Sequence, residues 1–174
     1  GDPVAPSAIA EGGTIRIVES EAEGVVKVPT PTPRALATAE IAGVVAAFRA
    51  ATVNAATAGF DGVELHSGSG FLQQQFLTPV SNQRTDRYGG SVANRCRFVL
   101  ETLEAMSEVR GPGRVGVKIA PSFAYHGMTM DYDDMVATYD YLAGALTALN
   151  LAYVHVQFPP WGLYYGPKDF APIR

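Results

Sequence analysis

Three short apolar runs, Val63-Glu64-Leu65-His66, Val115-Gly116-Val117-Lys118-Ile119 and Tyr153-Val154-His155-Val156-Gln157, each follow a stretch of helical periodicity. Nothing else in the chain restricts the fold as tightly. Ahead of the first run, Ile41, Val44, Val45, Phe48, Ala51 and Ala55 form one apolar stripe. Ahead of the second the stripe is Val92, Cys96, Val99, Leu103 and Met106, and ahead of the third it is Met135, Val136, Tyr139, Leu142 and Leu146. A repeated helix–strand order means parallel strands joined by right-handed helical crossovers. Two architectures satisfy it: a doubly wound open sheet and a (β/α)8 barrel.

The strands themselves separate the two. Alternate residues of a strand point to opposite faces. Val63 and Leu65, Val115, Val117 and Ile119, and Val154 and Val156 therefore share an aliphatic side. Glu64 and His66, Gly116 and Lys118, and Tyr153, His155 and Gln157 share the other. That second face is too polar to lie under another helix layer, and it suits a barrel lumen near its mouth. A complete barrel takes about 250 residues, whereas three strand–helix repeats are visible here. The expectation is a single domain over residues 1–174, part of a barrel incomplete at both ends, that needs the remaining strands.

The flanks read as follows. Residues 1–13, with Pro3, Pro6, Gly12 and Gly13, read as an irregular loop. Alternating runs at 14–18 and 25–28 predict a β-hairpin around the acidic segment between them. Pro29, Pro31 and Pro33 hold the next stretch extended. Thr38, Ser91 and Asp131 stand where N-caps of the three helices belong, and Gly59 and Gly111-Pro112-Gly113 supply stops.

The formal charge of −4 gives no electrostatic case for binding nucleic acid or an anionic membrane surface. No run approaches the roughly 18 apolar residues of a membrane span. No secretory signal is visible at the N-terminus, so the expected location is cytoplasmic. The single cysteine, Cys96, excludes an internal disulfide and reads as a small buried hydrophobe. His126 and His155 have no partners at metal-ligand spacing, so no metal is expected.

Chemistry concentrates in residues 59–90, where a strand ends in His66, runs into Ser67-Gly68-Ser69-Gly70, and continues as a long segment read as loop. Catalytic groups of barrels gather at the C-terminal ends of strands. His66 is either a hydrogen-bonded structural histidine or a donor to a ligand. Ser69, in a Gly-flanked turn, could aim at the same ligand atom, and two neutral donors on one oxygen polarise a carbonyl or hold an anion. Lys118 either pairs with Glu64 on the neighbouring strand or stabilises negative charge on a bound cofactor, and the two roles are compatible. Arg84, Asp86, Arg87, Arg95 and Arg97 read as a salt-bridged structural clamp.

These residues carry a family resemblance. GFDGVELH, a Gly-rich turn, QFL, and then N-x-R-T-D-R-Y-G-G-S-x-x-N-R-x-R-F resemble the Old Yellow Enzyme family of flavin-dependent ene-reductases. PVAPSAI, PTPRAL and VGVKIAP resemble it as well, so the likeness runs to about residue 160. The resemblance implies the fourth to sixth strands of a (β/α)8 barrel that binds FMN and is reduced by NADPH or NADH. The implied substrate is a small α,β-unsaturated carbonyl, a quinone or a similar acceptor.

The resemblance also implies roles. His66 matches the first carbonyl-binding residue. The second is Asn or His in most of the family and is Ser69 here. Two positions on, where the family places a proton-donating Tyr, stands Phe71, which has no proton to give. Lys118 falls where the family has an Arg beside the flavin, keeping the charge without the planar fork. The altered turn leaves two alternatives: a flavin- or carbonyl-binding relative without ordinary turnover, and an endoperoxide reductase resembling prostaglandin F synthases.

Overall fold

The computed structural model describes residues 2–20, 24–122 and 127–158. His126 and the aromatic tail beyond residue 158 lie outside them. The elements are β1 (Val4–Ala5), β2 (Thr14–Ser20), β3 (Gly24–Pro29), β4 (Arg34–Ala35), α1 (Thr38–Thr57), β5 (Val63–Ser67), α2 (Leu72–Leu77), α3 (Val92–Arg110), β6 (Val115–Ile119), α4 (Tyr132–Leu149) and β7 (Tyr153–Val156). A 3-10 turn, Pro112–Arg114, joins α3 to β6.

The centre is a parallel sheet in the order β5-β6-β7, with α3 and α4 as its crossovers. Its register brings Leu65, Val117 and Val154 into one row and His66, Lys118 and His155 into the next. The aliphatic face is therefore one continuous surface, as the alternation predicts. Leu65, Val115, Val117 and Ile119 bury it against Cys96, Val99, Leu103 and Met106 of α3 and Met135, Tyr139, Leu142 and Leu146 of α4. Fully burying each such side chain contributes about 1.5–3 kcal/mol, so this cluster sets the height at which the strands stack. β7 is the sheet's edge here, and Val154 and Val156 stay half-exposed.

Around this sheet the periodic stripes hold with local exchanges. In α1, Ile41 is buried, but Ala51 is exposed and Thr52 takes its place inside, its hydroxyl bonded to the Phe48 carbonyl at 3.0 Å. In α4, Val136 is exposed while Thr138 is buried, because Thr138 accepts from the buried Arg95 guanidinium at 2.9 Å. A polar residue that answers a buried donor outranks an apolar one. By length and composition α1 is apolar enough to cross a membrane, contrary to the expectation that no run approaches such a span. Ile41, Val44, Val45 and Phe48 of its stripe pack into a second cluster with Leu36, Phe76, Tyr88 and Phe98.

Two of the three expected caps hold. Ser91 Oγ accepts the Asn94 N–H at 3.3 Å and Asp131 Oδ1 accepts that of Asp134 at 2.9 Å. Thr38 does not cap α1; it is the first helical residue, and Ala37 holds the cap position in extended conformation. The Glu40 carboxylate reaches back to the Ala37 N–H at 2.7 Å and is itself gripped by both Arg34 Nη atoms, at 2.7 and 2.9 Å. Thr38 is left free to bond Asp86 in the loop clamp.

At the N-terminus the hairpin forms as expected, Thr14 opposite Pro29 through Val18 opposite Val25. Residues 1–13 are not wholly irregular, since Val4–Ala5 pairs in parallel with Arg34–Ala35.

The long loop after His66 contains a helix that the sequence reading did not anticipate. α2 is only six residues long and Gln-rich. It forms because its apolar side chains are taken up by two clusters: Leu77 enters the first and Phe76 the second, its ring 4.3 Å from that of Phe98.

Candidate active site

The polar face of the sheet carries two rows. Glu64, Gly116 and Tyr153 make one; His66, Lys118 and His155 make the next, nearer the C-terminal ends of the strands. The Tyr153 ring lies directly over Gly116, where an added Cβ would clash with it. A glycine is required there for the aromatic ring to cross the middle strand.

Between these rows runs an ion network. Lys118 Nζ lies 3.4 Å from Glu64 Oε1, and His155 Nδ1 lies 3.3 Å from Glu64 Oε2. Burial disfavours the Glu64 charge, but the His155, Lys118 and Tyr153 side chains outweigh it and hold the carboxyl below the usual range. The expected Lys118–Glu64 pair is therefore present. Both partners keep a quarter of their side-chain surface exposed, so Lys118 remains reachable from the lumen.

His66 is oriented by the turn that follows it. Its Nδ1 accepts the Gly68 N–H at 3.2 Å. In a neutral imidazole the other nitrogen then carries the hydrogen, so Nε2 is the donor. Burial lowers the His66 pKa, the Lys118 charge lowers it further, and Glu64 offsets part of this. The ring is thus a neutral N–H donor at pH 7, the form suited to polarising a carbonyl without losing its proton.

The turn itself is firmly built. A Cβ on Gly68 would come 2.9 Å from that of Ala120, so the chain leaves β5 pressed against the end of β6. Ser69 adopts φ +55°, in the left-handed region, which costs an L-residue about 1–2 kcal/mol. Three side-chain bonds hold the strained stretch. Ser69 Oγ donates to Gln157 Oε1 at 3.2 Å. The Gly70 N–H donates to Gln74 Oε1, and Gln75 Nε2 to the Gly70 carbonyl, both at 2.8 Å. α2 therefore acts as the clip for the turn, with Gln74 also donating to the Ala120 carbonyl at 3.3 Å.

Phe71 starts α2 and is more than half exposed, its ring centroid 4.8 Å from that of His66 at an interplanar angle of 59°. With Ser69, Gly70 and Gln75 it lines a cleft of about 540 Å³, together with Pro3, Ile9 and Pro33.

Of the four residues singled out from the sequence, His66 and Phe71 are in ring contact, and His66 and Lys118 are paired across the sheet. Ser69 is spoken for by Gln157. Sequence reasoning missed the holding roles of Gln157, Gln74 and Gln75. The first could have been found from its lumen-facing parity; the other two sit in a helix that was itself missed.

The loop clamp forms as expected except at Arg97, which makes no ion pair among the described residues and donates instead to the Arg87 carbonyl and Asn94 Oδ1. Arg84 binds Asp86 at 2.5 Å and donates to the carbonyls of Pro6 and Leu36. Arg87 pairs with Glu101 at 2.5 Å. Arg95, nearly fully buried, binds Asp134 and the carbonyls of Leu77 and Gly90. Among the described residues no cluster of His, Cys, Asp and Glu is arranged to hold a metal.

Comparison with known proteins gives this site its context. Residues 7–162 match the NADH:flavin oxidoreductase / NADH oxidase family. Chanoclavine-I aldehyde reductase of Penicillium roqueforti is 41% identical over 156 residues, covering 90% of this chain and 42% of that one. A probable flavin mononucleotide-dependent alkene reductase of Leishmania infantum is 43% identical over 153 residues, 88% of this chain and 41% of its own. A morphinone reductase variant solved with tetrahydroNAD superposes with a TM-score of 0.87 at 43% identity, over 97% of this chain and 45% of that one. The chain thus spans about two-fifths of the length of the curated relatives it matches, and its parallel sheet is a sector of a (β/α)8 barrel. With the family match spanning most of the chain and relatives above 40% identical, the chain belongs to the NADH:flavin oxidoreductase / NADH oxidase family, that of the Old Yellow Enzymes.

Proposed function

We propose that this chain carries the acceptor-binding part of an FMN-dependent NAD(P)H oxidoreductase that reduces small α,β-unsaturated carbonyls, quinones or similar acceptors. The observation that carries the reading is the orientation of His66. Its Nδ1 is occupied by the Gly68 N–H, leaving Nε2–H as a fixed donor at the C-terminal mouth of the sheet.

The residues present fit the cofactor. Lys118 stands in register with His66 on the lumen face and is partly exposed. It would hold negative charge at the edge of FMN, while Glu64 keeps the lysine in place and offsets part of its charge. FMN, when bound, supplies the chemistry the side chains lack: it takes two electrons from NAD(P)H and delivers a hydride to the acceptor. On the acceptor side, His66 binds the carbonyl oxygen and stabilises the negative charge that appears there as the β-carbon gains hydride. A donor so placed is worth about 10²–10³ in rate. The product also needs a proton at the α-carbon. Phe71 cannot give one, so water must. Acceptors whose reduced oxygens take protons readily from solvent, quinones among them, suit the site best.

The test uses FMN-loaded protein carrying all eight strands. NADPH added without oxygen should bleach its yellow colour, and benzoquinone or 2-cyclohexen-1-one should restore it. His66→Ala should slow the restoring step about 10²-fold while the bleaching rate changes by less than about threefold. A protein that is colourless, or yellow and not bleached by either nicotinamide, overturns the proposal.

A further inference from the structure

Ser69 has one hydroxyl proton, and the structure commits it. Its Oγ donates to Gln157 Oε1 at 3.2 Å. What remains on the serine is lone pairs, which cannot bind another oxygen. Gln157 is in the opposite position. It follows Tyr153 and His155 by strand parity, and its N–H bonds the Ile119 carbonyl at 2.8 Å, continuing the β6–β7 ladder one residue past the end of β7. Its side chain therefore stands on the lumen face, one layer above His155 and at the level of the Ser69 turn. With Oε1 occupied, its carboxamide still carries two N–H donors, and among the described residues nothing accepts from them.

We infer that Gln157, not Ser69, is the second donor to the acceptor's carbonyl oxygen, and that Ser69 is the post that aims it. The inference rests on the reductase reading of the preceding section. A carboxamide N–H reaching in from β7 replaces one that an Asn at position 69 would present from the turn. The site then has two converging N–H donors, His66 Nε2 and Gln157 Nε2, on two strands separated by β6. The left-handed backbone at Ser69 has a role in this arrangement: it is held in place by the same bond that fixes the amide.

The test reads ligand binding rather than turnover. Phenol is titrated into oxidised, FMN-loaded protein with all eight strands, and its dissociation constant is taken from the long-wavelength band of a phenolate stacked on flavin. A hydrogen bond to a charged group sets the scale, so Gln157→Leu should weaken phenol binding about ten- to hundredfold. Gln157→Glu keeps an acceptor for Ser69 but loses the N–H pair, and should weaken binding at least as much. Ser69→Ala should cost on the order of threefold, and the double variant S69A/Q157L should bind within about twofold of Q157L alone, because the two act as one unit. FMN stoichiometry and far-ultraviolet circular dichroism confirm that each variant is folded.

A tenfold loss in Ser69→Ala with no change in Gln157→Leu overturns the inference, as does wild-type affinity in Gln157→Glu. The reductase reading fails separately. If wild-type protein binds flavin but is not bleached by NADPH, that reading falls, while the phenol titration still decides between Gln157 and Ser69. A colourless protein overturns both.

Discussion

The rings of His66 and Phe71 lie 4.8 Å apart, tilted at 59°, at the start of the turn that carries the candidate site. An apolar ring therefore occupies the place beside the proposed carbonyl donor where a proton donor would be useful. A general acid in position contributes about 10²–10⁴-fold. Phe71→Tyr adds a hydroxyl to a ring already more than half exposed, so it needs no repacking. The expected result is at least a tenfold faster reoxidation of reduced, FMN-loaded protein by 2-cyclohexen-1-one, with reduction by NADPH unchanged. Stopped-flow absorbance separates the two half-reactions. An unchanged enone rate would mean that the α-carbon proton was never limiting.

Arg95 is the keystone beneath that turn. Its guanidinium donates to the Leu77 carbonyl at 3.0 Å, the Gly90 carbonyl at 2.7 Å, Asp134 at 2.7 Å and Thr138 at 2.9 Å. It thereby joins α2, the loop, α3 and α4. Removing one partner of a buried ion pair costs about 3–5 kcal/mol, and Arg95→Met strands a carboxylate and two carbonyls. Arg97 is the contrast. It is only half-buried, with bonds to the Arg87 carbonyl and Asn94 and no ion pair among the described residues, and Arg97→Met should cost about 1 kcal/mol. Urea unfolding of the two variants side by side checks the difference; equal losses would mean that burial is not what gives Arg95 its weight.

Cys96 should be inert. It is fully buried between α3 and α4, its Sγ 3.8 Å from the Thr138 carbonyl. Burial pushes its thiol up to about 12, with Arg95 opposing only in part. The thiolate is the reactive form, so at pH 8 native protein should leave this cysteine unlabelled by iodoacetamide. Labelling should appear only at the rate of unfolding. Peptide mapping by mass spectrometry follows Cys96 itself, and rapid modification under native conditions would contradict the packing described.

How legible all this was depends on where each residue's partner lies. The sheet could be read because parity along each strand is local: His66, Lys118 and His155 share a face whatever surrounds them, and the register then aligns them in one row. The α3 stripe could be read for the same reason. α2 could not, because six residues hold too few turns for a period to show; its stability comes from Phe76 and Leu77 entering clusters built elsewhere. Thr38 was misread as a cap since its hydroxyl's real partner, Asp86, is 48 residues away. The fate of Ser69 was hidden in the same way. Its spacing from His66 suggested a shared ligand, and only the fold brings Gln157, 88 residues on, close enough to accept its hydrogen bond.

The pairing of Lys118 with Glu64 has a pH consequence at His66. Burial is the largest cause of the lowered His66 pKa and the Lys118 charge is the next. Between that lowered value and the ordinary 6.5 the unfolded chain binds a proton that the folded chain refuses. Stability therefore rises with pH across this window and is lost as pH falls below 6.5. Glu64, also depressed, adds a second loss at lower pH, as the carboxyl is protonated. Lys118→Met removes the cation felt by both groups. His66 should then titrate closer to 6.5, though still below it, since burial remains. Glu64 should titrate higher as well, and its weakened charge limits how far His66 moves. The imidazole Cε1–H resonance of His66, followed by NMR from pH 4 to 8 and assigned with His66→Gln, gives the His66 value directly in the parent protein and in Lys118→Met. A His66 pKa that stays put or falls in Lys118→Met would show that the lysine charge does not act on the imidazole.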